Sequence, residues 1–92
     1  MKRKNKIQII TTKGCVGCGL AIHNVKDVML QTTKDISVEI KDKDEVSKSF
    51  INKHKITDFP TLLFIVDDIV KYKVIGNYPI TVILRWIDIY FI

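Results

Sequence analysis

The sequence predicts a single α/β domain over residues 1–92, with element order β-α-β-α-β-β-α and a four-stranded mixed sheet covered by helices on both faces. Three observations predict it. Short apolar runs of strand length alternate with stretches of helical period. Near the C-terminus two strand-like runs flank a polar Asp67-Asp68 step, the pattern of an antiparallel hairpin. No repeat or low-complexity linker divides the chain, and 92 residues suffice for one core but not two.

Each element follows from local pattern. Lys6 to Thr11 reads as a short apolar strand behind a basic leader, residues 1–5, expected to fray. From Cys15 onward the spacing is helical, with Cys18, Ala21, Ile22, Val25 and Met29 on the buried face and His23, Asn24, Lys26 and Asp27 on the wet one. In Ile36 to Lys41, Ile36, Val38 and Ile40 alternate with Ser37, Glu39 and Lys41, as in a half-exposed strand at a sheet edge. Asp42 or Asp44 is a suitable N-cap for a second helix running to about Lys53, with Val46, Phe50 and Ile51 inward.

Pro60 forbids extending that helix, and Thr61 to Val66 is a continuous apolar run. The alternating run Ile69 to Ile75 completes the hairpin. Gly76-Asn77-Tyr78-Pro79 then breaks the strand and starts a last helix, with proline at or near its first position. In that helix Ile80, Ile83, Leu84, Ile87 and Phe91 face the sheet. A second apolar stripe, Val82, Trp86, Ile89 and Tyr90, either extends the core or meets a partner; the core reading is preferred, and a monomer is expected.

The net charge of +5 says little about partners, because Lys2, Arg3, Lys4 and Lys6 crowd ahead of the first strand with no aromatic residues interleaved. Nucleic acid is therefore not an expected partner. The apolar stretch Ile7-Gln8-Ile9-Ile10 is too short and broken for a signal-peptide core, and no segment has the length and apolarity of a membrane span. A cytoplasmic, reducing setting is expected, where two close cysteines are more often catalytic or metal-binding than structural.

Those two cysteines carry the chemistry. Lys13-Gly14-Cys15-Val16-Gly17-Cys18 sits where the strand pattern gives way to the helical one. A pair separated by two residues can close a small disulfide at the start of a helix, where unpaired N–H groups and the macrodipole favour thiolate over thiol. The motif reads as a dithiol/disulfide exchanger. After a strand of an open sheet, it also lies where such folds place their reactive groups.

The chain resembles the thioredoxin and glutaredoxin superfamily over nearly all of its length after the leader. Two separated motifs carry the resemblance: Cys15-Val16-Gly17-Cys18 between strand and helix, and Ile56-Thr57-Asp58-Phe59-Pro60-Thr61-Leu62-Leu63-Phe64, which looks like the family's cis-proline loop and following strand. The resemblance implies a compact thioredoxin fold and a thiol-disulfide oxidoreductase. It implies that Cys15 attacks a substrate disulfide and Cys18 resolves the mixed disulfide. It also implies a substrate groove built from Lys13, Gly14, Val16, Gly17, Phe59, Pro60, Gly76 and Asn77, in which the backbone of Phe59 pairs with an extended segment. Expected partners are disulfide-containing proteins and either glutathione or a reductase. No bound cofactor or metal is expected beyond the redox-active Cys15–Cys18 disulfide.

The departures from the family are specific. Gly14 precedes the pair where thioredoxins have tryptophan, and no proline lies between the cysteines. Ile9 stands where thioredoxins tend to carry a buried acid. Gly76-Asn77-Tyr78-Pro79 replaces the glutaredoxin helix start that holds glutathione, although Lys13 is a candidate partner for a glutathione carboxylate. An alternative of a different class is a soft-metal carrier, since Gly14-Cys15-Val16-Gly17-Cys18 also looks like the metal loop of small copper chaperones. Those domains run β-α-β-β-α-β and have no need of Phe59-Pro60, and His23 and His54 do not complete a zinc site.

Overall fold

The computed structural model describes residues 4–91. Its elements are β1 Asn5–Thr11, α1 Cys18–Gln31, β2 Ile36–Asp42, a 3₁₀ turn Lys43–Glu45, α2 Lys48–Lys53, β3 Thr61–Val66, β4 Ile69–Ile75 and α3 Ile80–Tyr90. The expected order is borne out, and so is the mixed four-stranded sheet, whose strands lie in the order β2-β1-β3-β4. β1 runs parallel to β2 and antiparallel to β3, and β3 and β4 form the hairpin. β2 occupies one edge, as its alternating pattern predicts.

The sheet separates two apolar clusters. Alternation along β1 and β3 sends Ile7, Ile9, Leu62, Phe64 and Val66 to one face, where Ala21, Val25 and Val28 of α1 and Ile83 and Ile87 of α3 cover them. Ile10, Leu63 and Ile65 go to the other face, under Val46, Phe50 and Ile51 around α2. Both faces of β3 are covered, which is why its six residues read as an unbroken apolar run and are all buried.

The structure corrects several boundaries. Lys4 and Asn5, expected to fray with the leader, are held instead: Asn5 begins β1, Lys4 O accepts from Asp67 N at 2.9 Å, and Lys4 N donates to Asp67 Oδ1 at 2.9 Å. Residues 1–3 of that leader lie outside the described residues. Asp67 and Asp68 both take positive φ, 49° and 66°, the backbone a two-residue hairpin of this twist demands.

The helix expected from Asp42 to Lys53 is split. Asp42 and Glu45 form a reciprocal capping box around the 3₁₀ turn, and Ser47 caps α2 afresh by accepting from Phe50 N at 3.2 Å. Two capping signals five residues apart leave Val46 extended between them. α1 starts at Cys18, not Cys15, and its buried face includes Val28, which the sequence reading left out, while Ile22 and Met29 are only partly buried. In β2, Ile40 is exposed although Ile36 and Val38 pack on the core.

The second stripe of α3 is largely core. Trp86 and Tyr90 join Phe64, Tyr72 and Phe91 in an aromatic cluster, with Tyr72 stacked on Tyr90 at 4.5 Å and Trp86 edge-on to Phe64 at 6.0 Å. Ile89 alone of that stripe is exposed.

Candidate active site

Four chain segments meet at one end of the sheet because of its register. Thr11, the last residue of β1, lies beside Asp42, the last of β2. Its neighbour Ile10 pairs with Thr61, the first residue of β3, and Thr61 pairs with Ile75, the last of β4. The cysteine turn after β1, the Phe59-Pro60 step before β3 and the Gly76-Asn77 step after β4 therefore emerge together. This is the spatial coincidence that the two sequence motifs require.

Cys15 and Cys18 are joined as a disulfide with Cα atoms 5.5 Å apart. Cys15 lies in the turn ahead of α1, its N–H bonded to Thr12 O at 3.4 Å, and is partly exposed. Cys18 is the first residue of α1 and is 7% exposed. The difference comes from helix phase: Cys18 shares the stripe of Ala21 and Val25, which faces the sheet. No side chain caps this helix start and no acidic residue occupies its first turn, so nothing competes with a sulfur anion for the N-terminal N–H groups.

Gly17, between the cysteines, is the contact point for the other two segments. A Cβ at this position would lie 3.0 Å from Asn77 Nδ2, crowding that amide, and 3.7 Å from Pro60 Cδ, an ordinary contact, so the absent side chain makes room for Asn77 while Pro60 packs beside it. Asn77 Nδ2 donates to Gly17 O at 3.4 Å. The Phe59–Pro60 peptide is cis, Pro60 is buried, and its carbonyl accepts from Gly76 N at 2.7 Å. Gly76 has φ +102°, backbone that a residue with a Cβ rarely adopts.

The remaining predicted groove residues are distributed unevenly. Val16 is 99% exposed, Lys13 and Gly14 are exposed beside it, and Phe59 is partly buried. Ile75, at the end of β4, adds exposed apolar surface. Sequence reasoning missed Asn24, placed on the wet face of α1; its Nδ2 donates to Tyr78 O at 3.2 Å and fastens the loop that carries Asn77. Tyr78 closes the same loop by donating its hydroxyl to Ile75 O at 2.7 Å. The helical period alone has no signal for either bond.

Ile9, in the position where the resemblance led one to look for an acid, is fully buried in the α1-side cluster. Among the described residues no group of three or more His, Cys, Asp or Glu side chains is placed to hold a metal. No helix among them is long and apolar enough to cross a membrane.

No family model matches the chain, and no curated protein matches it. Solved structures do. It is similar to thioredoxin-2 from a malaria parasite, described as a component of the parasite's protein secretion machinery, with TM-score 0.78 and 16% identity over 96% of this chain and 84% of that one. It is similar to chloroplastic thioredoxin z with TM-score 0.76 and 20% identity, over 95% and 78% of the two chains. A thioredoxin from Halobacterium salinarum superposes with TM-score 0.77 and 20% identity, over 95% and 74%. The architecture is thus the thioredoxin fold.

Within that fold, the chain carries its cysteine pair, closed as a disulfide, between β1 and α1 and against the loop of Pro60. The copper-carrier alternative finds no support: the element order is β-α-β-α-β-β-α, not β-α-β-β-α-β, and the similar structures are thioredoxins.

Proposed function

We propose that this chain is a thiol-disulfide oxidoreductase working by dithiol exchange through Cys15 and Cys18. The observation that carries the reading is the asymmetric pair: an accessible Cys15 ahead of an uncapped helix start and a buried Cys18 one helical step behind it. The reduced protein presents Cys15 as thiolate, favoured by the free N–H groups of α1. That sulfur attacks one sulfur of a substrate disulfide, forming a mixed disulfide and releasing the other substrate sulfur as a thiolate.

Cys18 then attacks Cys15 Sγ, which closes the Cys15–Cys18 disulfide and releases the second substrate thiol. The substrate gains two electrons from the protein and one proton from Cys18; the second departing thiolate takes its proton from water, since Cys15 entered already deprotonated. With Ile9 where a carboxylate would otherwise receive it, the Cys18 proton leaves with the first departing substrate thiolate. An external thiol, glutathione or a reductase, returns the disulfide to the dithiol.

Substrates in this reading are proteins with an accessible disulfide on an extended segment. The Phe59 backbone offers such a segment a strand-like partner, and Val16 and Ile75 give it apolar surface. Lys13, Gly14, Gly17, Gly76 and Asn77 complete the walls, with Asn77 holding the turn at Gly17. The protein works as a monomer in the reducing cytoplasm, without nucleic acid, membrane or bound cofactor.

Two variants test the assignment. Cys15→Ser abolishes reduction of a protein disulfide, and Cys18→Ser accumulates a covalent Cys15–substrate adduct visible by intact mass. Persistent turnover by Cys15→Ser would refute the mechanism.

A further inference from the structure

Beside the exchange site lies a cavity of about 320 Å³, lined by residues of the 3₁₀ turn and α2 that follow β2 and by Phe59. Val46, Ile51, Ile56 and Phe59 give it an apolar wall, and Lys43 and Lys48, both exposed, flank it together with Asp44. Phe59 links it to the redox centre, because the next residue, Pro60, lies against Gly17 between the cysteines. The strand register agrees: the turn Lys43–Glu45 follows directly from Asp42, the partner of Thr11 at the end of β1.

We propose that this cavity is a specificity pocket for disulfide substrates whose cysteine is followed by a large apolar side chain and a carboxylate. The proposal rests on the exchanger reading and names the substrate class of that site. The volume is at the lower end of ligand sites, enough for one side chain. An extended segment paired along Phe59 sends alternate side chains to the same side, so the residue two positions from the cysteine is the one that enters.

The charge of the flank selects the neighbouring residue. Lys43 and Lys48 outnumber Asp44, and neither lysine makes an ion pair or side-chain hydrogen bond among the described residues. Asp44 sits in the turn that Asp42 caps, its backbone N–H donating to Asp42 Oδ1 at 2.9 Å, and its single carboxylate cannot balance both lysines. The two ammonium groups are thus left to an incoming anion, and an acidic residue beside the apolar one supplies it.

The test uses the reduced full chain and peptides whose single cysteine carries a neutral 2-thiopyridyl disulfide, so that released thiopyridone reports the exchange rate. A Cys-Gly-Phe-Glu peptide is compared with Cys-Gly-Phe-Lys and Cys-Gly-Gly-Glu, and bis(2-hydroxyethyl) disulfide monitors the exchange chemistry itself. The Phe-Glu peptide is expected to react about fivefold faster than Phe-Lys, the size that two exposed ion pairs supply. It is expected to react about tenfold faster than Gly-Glu, from burial of part of the ring.

In the double variant Lys43→Glu/Lys48→Glu the preference between Phe-Glu and Phe-Lys inverts. Because both rates are measured on the same protein, that ratio is insensitive to any general loss of activity. Equal rates for all peptides while bis(2-hydroxyethyl) disulfide is reduced would overturn the pocket and leave the exchanger standing, as would a preference that survives the double variant. Glutathione disulfide reacting as fast as the Phe-Glu peptide, with the same sensitivity to the double variant, would reassign the lysines to glutathione's carboxylates and overturn the proposal. Failure of every disulfide, the small one included, would sink the exchanger reading and the pocket with it.

Discussion

Reducing the Cys15–Cys18 bond should lower the stability of the domain by about 1 to 2 kcal/mol, an amount set by two opposed effects. The bond spans a sequence separation of 3, so it closes a loop of only four residues. Chain entropy for so small a loop gives the oxidised form an advantage of about 2 kcal/mol, since the reduced unfolded chain regains that freedom. Against it, reduction frees a sulfur that the uncapped N-terminus of α1 holds as thiolate, worth about 0.3–1 kcal/mol.

The difference predicts a melting midpoint roughly 4–15 °C lower for the dithiol, given the enthalpy of a domain this size. Circular dichroism melts with and without excess phosphine reductant measure it, and the variant Cys15→Ser/Cys18→Ser must be blind to the reductant. By the thermodynamic cycle, the same gap makes the folded chain favour the disulfide over the dithiol about 5- to 30-fold more than the unfolded chain does. A reduced form that melts at the same temperature or higher would show that thiolate interactions exceed loop entropy, and the reasoning would fail.

Three further outcomes follow from the packing. Phe64→Ala removes the ring around which Tyr72, Trp86, Tyr90 and Phe91 gather and should cost about 3–5 kcal/mol in urea denaturation, a large part of a small domain's stability. Gly76→Ala forces a Cβ onto φ +102° and should cost about 1–3 kcal/mol, while slowing exchange by displacing the backbone that bonds Pro60 O. His54 has its pKa lowered by desolvation and by the charges of Lys53 and Lys73, so the unfolded chain takes up its proton first as pH falls. Stability from neutral His54 is complete above pH 6.5 and declines as the pH drops through that value toward the folded pKa; His54→Gln should flatten this part of the stability–pH curve.

Most of the fold was legible because period and punctuation agree along the chain. Both strands of the hairpin were predicted with the bounds they have, since Pro60, Asp67-Asp68 and Gly76 interrupt the pattern on either side. The second helix was misread because Asp42, Asp44 and Ser47 all qualify as caps in sequence; Asp42 and Ser47 act in turn, and Val46 between them packs against the cluster of Ile10, Leu63 and Ile65. Val28 follows Val25 by three residues and Ala21 by seven, so the helical period does carry it; Ile22 and Met29, which the reading placed on that face, pack there only in part.

The site divides along the same line. Cysteine spacing and the Phe59-Pro60 step are local signals and could be read directly. That Gly17 is the meeting point of Pro60 and Asn77, and that Asn24 ties down Tyr78, depend on side chains 54 to 60 residues apart and have no local signature. The cavity beside Phe59 has no local signature either, because its lining runs from Lys43 to Phe59 across the 3₁₀ turn, α2 and the loop before β3.

Trp86, the single tryptophan, lies edge-on to Tyr78 at 4.8 Å, one residue beyond Asn77. The indole is therefore a built-in optical reporter, coupled through one aromatic contact to the loop that grips the cysteine turn. Its emission in the native protein is therefore expected to change when the sulfurs bind substrate or are oxidised or reduced, without any attached dye.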